Sequence, residues 1–204
     1  MRVVIQRVKS ASVEVDGRVV SKIGPGLLCL VGLREGDGAK EAEFCVRRIL
    51  GLRLWPSDAP AAGQAKEIPG PFSPAPASTS APATPAPAST SAPATPAPPS
   101  APAARPKPWA QSVVSLNYDV LCVSQFTLYA RYSGTKPDFS KAMKSDEARA
   151  AYERFLAAMR QSYPGGRVED GVFGAMMDVS LVNDGPVTIT IDSANPGNAQ
   201  EFAK

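Results

Sequence analysis

The sequence predicts an α+β domain, mainly antiparallel and barrel-like, with two helices outside the sheets. Three observations carry this. Short apolar or alternating runs follow one another with tight-turn residues between them, which suits neighbouring antiparallel strands. Only the windows 39–50 and 146–163 place their apolar residues at helical spacing. One tract, 57–108, has no apolar period; without it about 150 residues remain, enough for one core.

Val3 to Val8 and Ser12 to Val15 are short strands, and Asp16-Gly17 is a two-residue hairpin turn into Arg18–Ile23. Gly24-Pro25-Gly26 turns again. Leu27–Leu33 is almost wholly apolar, as a strand buried on both faces would be. Asp37 and Gly38 can start a helix. Within 39–50, Ala42, Cys45, Val46 and Ile49 form one stripe. Glu41 and Glu43 lie early and Arg47 and Arg48 late, as the helix dipole favours, and Gly51 terminates. Leu52–Trp55 is a short strand stopped by Pro56.

Residues 57–108 are rich in Pro, Ala, Ser and Thr, and the segment Pro74–Thr84 recurs unchanged at Pro85–Thr95. With no large apolar side chain at a regular period, the tract cannot offset its ordering entropy, so a disordered, partly polyproline-II loop is expected. Its Pro-x-x-Pro spacing would suit an SH3 or WW partner. A tolerated expansion of a surface loop fits it better, because long loops cost little extra closure entropy.

Folded sequence resumes at Trp109. Asn117-Tyr118 is a turn, and Asp119–Tyr129 reads as a strand. Tyr132–Ser140 is a loop. Ser145 is placed to cap a helix from Asp146 to about Tyr163 that shows Ala148, Tyr152, Phe155 and Met159 on one face. Met176–Val182 and Val187–Ile191 read as a closing hairpin around Asn183-Asp184-Gly185-Pro186, with 193–204 as a frayed tail. The organisation is one domain, 1–192, interrupted by the insert.

Composition excludes several chemistries. The chain has no histidine, which removes a Ser-His-Asp triad, a histidine general base and the usual histidine-containing zinc sites. Cys29, Cys45 and Cys122 each sit in apolar sequence without a C-x-x-C, as small buried hydrophobes in a reducing compartment would. No carboxylate cluster suggests a metal, and no cofactor is called for. A net charge of +3, from 22 basic and 19 acidic residues, is too weak to grip a long phosphate track, though an RNA end needs less. Arg131 and Lys136 are loop charges that could meet phosphates or simply be solvated. Met1–Val8 lacks the look of a signal peptide and no run is long enough to span a membrane, so the cytoplasm is expected.

Two stretches carry the functional reading: Ser124-Gln125-Phe126-Thr127-Leu128, at the end of an apolar run, and Asn183-Asp184-Gly185-Pro186-Val187-Thr188. In this order they resemble the two signature motifs of the D-aminoacyl-tRNA deacylases. Ile5-Gln6-Arg7-Val8, Ala11-Ser12-Val13, Lys136-Pro137-Asp138-Phe139 and Phe173-Gly174-Ala175 fit the same family, and the resemblance covers nearly all of 1–56 and 109–192. It implies the deacylase fold, working as a homodimer, with 57–108 inserted where the family has a short loop.

An amino acid ester on ribose needs oxyanion stabilisation and a positioned water or hydroxyl. Backbone N–H groups at the end of the Ser124–Leu128 stretch could supply the first. Thr127 offers a nucleophile but no visible base. The resemblance favours instead a mechanism assisted by the hydroxyl of the terminal adenosine, with Ser124, Gln125, Phe126 and Thr127 lining the site. It further implies that Gly185-Pro186 is cis and enters the partner subunit's site, where its carbonyls exclude an L side chain and admit a D one. Glycine, with no side chain to reject, would pass. Arg7 would orient that pair, although a plain salt-bridged arginine explains it as well. Phe173, Gly174, Met177 and Asn183 would take part in substrate binding, with Phe173 under the adenine or equally in the core. The alternative function is a non-catalytic deacylase-like protein that presents its Pro-rich loop for docking.

Overall fold

The first strand, β1 (Arg2–Val15), joins the two short strands expected at 3–8 and 12–15 into one of 14 residues. Val3 and Ile5 face one apolar cluster, while Val8, Ala11 and Val13 face another. The change of phase comes at register shifts between Arg7 and Val8 and between Val8 and Ser10. A bulge adds a residue and moves the two-residue period to the other face. The structure is a computed structural model that describes residues 1–63 and 105–196.

β2 (Arg18–Ile23) returns through Asp16 and Gly17, at φ 50° and 73°, the left-handed pair that a two-residue hairpin needs. β3 (Gly26–Gly32) is buried along both faces, as its apolar run requires. The stripe Ala42, Cys45, Val46 and Ile49 of α1 (Ala39–Gly51) is buried, and the Glu41 side chain accepts the Gly38 N–H at 2.9 Å to close its start. β4 (Arg53–Trp55) pairs with β5 (Gln111–Ser112), and β5 runs into α2 (Val113–Leu116). This one-turn helix was not legible beforehand; Ser112 Oγ caps it and Asn117 ends it at φ 53°. β6 (Asp119–Ser124), the pair β7 (Arg131–Tyr132) and β8 (Pro137–Asp138), and α3 (Ser145–Ser162) follow. Ser145 is the first residue of α3 rather than its cap, and no side chain caps that end. β9 (Val168–Asp170) and β10 (Asp178–Asp192) complete the chain.

The main sheet has the order β10-β1-β3-β6-β9, with β2 also on β1. It is mixed. β1 pairs antiparallel with β10, β2 and β3, while β3, β6 and β9 run parallel. Chain-order reading favoured antiparallel neighbours because strands follow one another closely at the start. The parallel half arises because the chain between β3 and β6 includes α1 and that between β6 and β9 includes α3, the crossovers that parallel pairing demands. The sheet curls towards a barrel: Arg167, just before β9, donates to the Lys22 carbonyl of β2 at 2.7 Å. Leu27, Cys29, Val31, Val120 and Cys122 pack against the helices, and Leu28, Leu121 and Val123 against the inner cluster with Ile23. The three cysteines are buried free thiols. Among the described residues no helix is long and apolar enough to cross a membrane.

Two boundaries move. Ser57 N–H donates to the Lys107 carbonyl at 2.9 Å, Tyr118 Oη to Pro60 at 2.5 Å and Ala62 N–H to Leu116 at 2.8 Å, so both ends of the expected insert are tied to the core. The Pro-rich repeat and its docking reading lie outside the described residues. Ser193–Asn195 are not frayed. Ser193 N–H donates to the Met1 carbonyl, Asn195 N–H donates to Asp192, and Ser193 Oγ accepts from the Met1 ammonium, which also pairs with buried Asp37 at 2.5 Å.

Candidate active site

Parallel strands deliver their carboxyl ends to one edge of a sheet, and those of β3, β6 and β9 lie together at Gly32, Ser124 and Asp170. Beyond Ser124 the strand does not run on to Tyr129 as its polar-apolar pattern suggested. Gln125 N–H still bonds the Val31 carbonyl at 2.7 Å, and then the chain tightens into a 3₁₀ turn, Phe126–Tyr129. Leu128 N–H to Gln125 and Ala130 N–H to Thr127 close it. The turn lies hard against β3: a Cβ at Gly32 would come 2.9 Å from Leu128 Cβ, so this seat requires glycine.

The turn exposes Phe126 and Thr127 and buries Tyr129. Phe126 meets Phe139 edge-on at 4.9 Å between ring centroids. Gln125 Nε2 donates to Thr127 Oγ1 at 2.6 Å. The threonine hydroxyl therefore meets an amide, not a base. Because the closing bonds start at Leu128, the N–H groups of Phe126 and Thr127 at the head of the turn take no part in it. This edge therefore offers two adjacent backbone donors beside a hydroxyl and an amide. Ser124, half-buried, is the last residue of β6.

Asn183-Asp184-Gly185-Pro186 is not a hairpin turn. Both flanking runs pair with β1: Arg7 lies opposite Val187 and Val8 opposite Asn183. Asp184, Gly185 and Pro186 are extra residues looped out of one continuous strand, and the ladder closes on either side of them. Turn-forming residues allowed the excursion, but the apolar period resumes in the same direction. Gly185 sits at φ +126° and its bond to Pro186 is cis. A Cβ there would lie 3.1 Å from Val187 Cγ2 and 3.2 Å from Arg7 Nη2. Arg7 Nε donates to the Asp184 carbonyl and pairs with its carboxylate, each at 3.0 Å, while Nη1 donates to the Leu54 carbonyl. The guanidinium thus fixes the residue before the Gly-Pro pair. Asp184 stands in the motif and Leu54 in the short strand 52–55, but the sequence does not show either as a partner of Arg7; only their placement does.

The two motifs do not meet in one chain. Arg2 Nη1 donates to the Leu128 carbonyl of the 3₁₀ turn at 2.7 Å, marking that end of β1. Arg7 lies five residues further along the strand, about 16 Å at ~3.3 Å per residue. Arg2 is itself held by Asp192 at 2.9 Å. Burial raises the Asp192 carboxyl, but the Ala194 N–H and Arg2 outweigh it and bring it below its usual value.

The four candidate substrate residues also divide. Gly171 N–H donates to Cys122, so the chain after β9 leaves near the end of β6, bringing Phe173 and Gly174 towards that edge. Phe173 is half-buried; the Arg149 guanidinium lies 4.9 Å from its ring centroid and Tyr152 5.8 Å. Met177 packs on the inner cluster, and Asn183 lies exposed at the bulge. Among the described residues no three of His, Cys, Asp and Glu come together as a metal would require.

A mixed sheet with a backbone-donor loop at its parallel ends, and a backbone bulge in a separate strand, describes a hydrolase-like α+β protein that works without histidine. The D-Tyr-tRNA(Tyr) deacylase family matches residues 4–71 and 101–192, and the chain belongs to that family. A D-aminoacyl-tRNA deacylase of Drosophila melanogaster is 41% identical over 193 residues, covering 95% of this chain and 92% of the relative. One of Yarrowia lipolytica is 40% identical over 197 residues, covering 96% and 99%. The solved structure of a c-Myc DNA unwinding element binding protein superposes with a TM-score of 0.67 at 34% identity, covering 94% of this chain and 98% of that one.

Proposed function

We infer that this chain hydrolyses the ester of D-aminoacyl-tRNA, releasing the free D-amino acid and tRNA, and spares the L-ester. Membership of the deacylase family carries the reaction class. The observation that carries the mechanism is the 3₁₀ turn, whose N–H groups at Phe126 and Thr127 stand ready for the oxyanion of an attacked ester carbonyl. Attack comes from water helped by the neighbouring hydroxyl of the terminal adenosine, since among the described residues the hydrogen-bond partner of Thr127 Oγ1 is the Gln125 amide and not a base. Phe173 and Gly174 line the approach for the terminal nucleoside.

Chirality is read by the Gly185-Pro186 bulge of a second copy. Its own copy's site lies too far along β1, and both bulge residues are exposed for such a contact. A backbone wall rejects the L side chain by clash and is indifferent to which D side chain is present, so glycyl-tRNA also passes. Arg7 holds the bulge through Asp184. The working unit is a homodimer in the cytoplasm, one domain over 1–192, and the Pro-rich insert is an addition that the site does not need.

The test is hydrolysis of D-tyrosyl-tRNA beside L-tyrosyl-tRNA at catalytic amounts of protein. Fast loss of the D-ester with the L-ester spared is expected. Survival of both would overturn the reading in favour of a binding protein that presents the insert.

A further inference from the structure

Beside the 3₁₀ turn lies a cleft of about 610 Å³ lined by Arg2, Arg34, Glu35, Tyr129, Ala130, Arg131 and Lys141. Its frame is built. Met143 N–H donates to the Leu33 carbonyl at 2.9 Å, and Arg34 bridges Ala142, which together hold the 141–143 segment against the end of β3. The lining carries four cationic side chains against one carboxylate. Arg2 is engaged by Asp192, and Arg34 lies 3.7 Å from Asp37. Arg131 and Lys141 form no ion pair among the described residues, though both act on nearby Asp138.

The cleft lies on the other side of the turn that carries the ester site: Thr127 is on the exposed side, and Tyr129, itself buried, is on the cleft side. A strong acceptor meeting an arginine and a lysine there has the chemistry of a phosphate, and an anion in the cleft would lie next to the ester site.

We propose that this cleft binds a backbone phosphate of the single-stranded end of the substrate RNA, with Arg131 and Lys141 as its charges. This rests on the deacylase reading. It gives a protein of low net charge a local grip on the one part of the RNA that it must place, and leaves the rest of the nucleic acid uncontacted.

The experiment compares wild type with Arg131→Glu/Lys141→Glu. Three readouts are taken: KM and kcat for D-tyrosyl-tRNA, hydrolysis of a D-tyrosyl adenosine ester without phosphates, and Kd for uncharged tRNA. The double variant is expected to raise KM and Kd at least tenfold. Its kcat and its rate on the nucleoside ester should not change. The log-log salt slope should fall by about 0.7, the contribution of one neutralised phosphate on a single strand. Unchanged KM and Kd in the double variant would overturn the cleft while leaving the deacylase reading standing. So would equal losses on tRNA and nucleoside ester. Charge-dependent tRNA binding with neither ester cleaved by wild type would support the cleft and overturn the deacylase reading instead.

Discussion

The Gln125–Thr127 turn and the Asp184–Pro186 bulge are both short polar interruptions of core strands, yet they are built in opposite ways. The turn ends its strand, packs down on Gly32 and keeps two N–H groups for an acceptor. The bulge leaves its strand and returns to it, stands exposed, and is braced by one arginine from β1. One arrangement suits chemistry, which needs donors fixed against a packed floor. The other suits steric selection, which needs a stiff projection aimed at something else. The two sit at separate points along β1, and in the proposed reading a second copy brings them together.

This comparison can be broken at either end. Phe126→Pro should have the largest effect. Proline removes one N–H while remaining compatible with the first position of a helical turn, and loss of one oxyanion donor costs about 10²–10³ in kcat. Single-turnover hydrolysis of D-tyrosyl-tRNA measures it, and a loss under tenfold would mean the Phe126 N–H is not such a donor.

Deleting Asp184–Pro186 is expected to come next. It joins Asn183 to Val187 and makes the ladder continuous opposite Arg7 and Val8, so the sheet should survive by circular dichroism and melting. The D-over-L rate ratio should collapse by about a hundredfold, equivalent to roughly 2.7 kcal/mol of discrimination. A folded deletion variant that kept full selectivity would show that the bulge is not the wall.

Thr127→Ala should be the mildest, slowing hydrolysis less than about tenfold, because only the bond to the Gln125 amide is lost. A loss beyond a thousandfold, or an acyl group trapped on Thr127 in the native protein, would make it the nucleophile.

Much of the framework was legible because burial imposes period. The continuous apolar run of β3, the stripe of α1 and the Asp16-Gly17 turn follow from residues that have one low-energy place to go. What was not legible depended on partners distant in sequence. Nothing in Val3–Val15 announces that two strands are one, since the bulge at Val8 is set by the pairing with β10. Asn-Asp-Gly-Pro has the composition of a hairpin turn, and only the common partner β1 shows it to be an excursion. The site motifs stood out through resemblance rather than period. The cleft beside the turn did not stand out, because Arg2, Arg34 and Lys141 reach it from distant parts of the sequence.

The central claim, that chemistry and selectivity come from different copies, is tested most directly by mixing. A Phe126→Pro copy keeps the bulge and lacks a competent turn; the 184–186 deletion keeps the turn and lacks the bulge. Each is first assayed alone on D- and L-tyrosyl-tRNA, and then the two are dissociated and reassociated together. The account predicts that the first alone is nearly inactive and the second alone is unselective, and that the mixture gains D-selective hydrolysis that neither shows. A deletion copy that is already D-selective by itself, with no change on mixing, would contradict it.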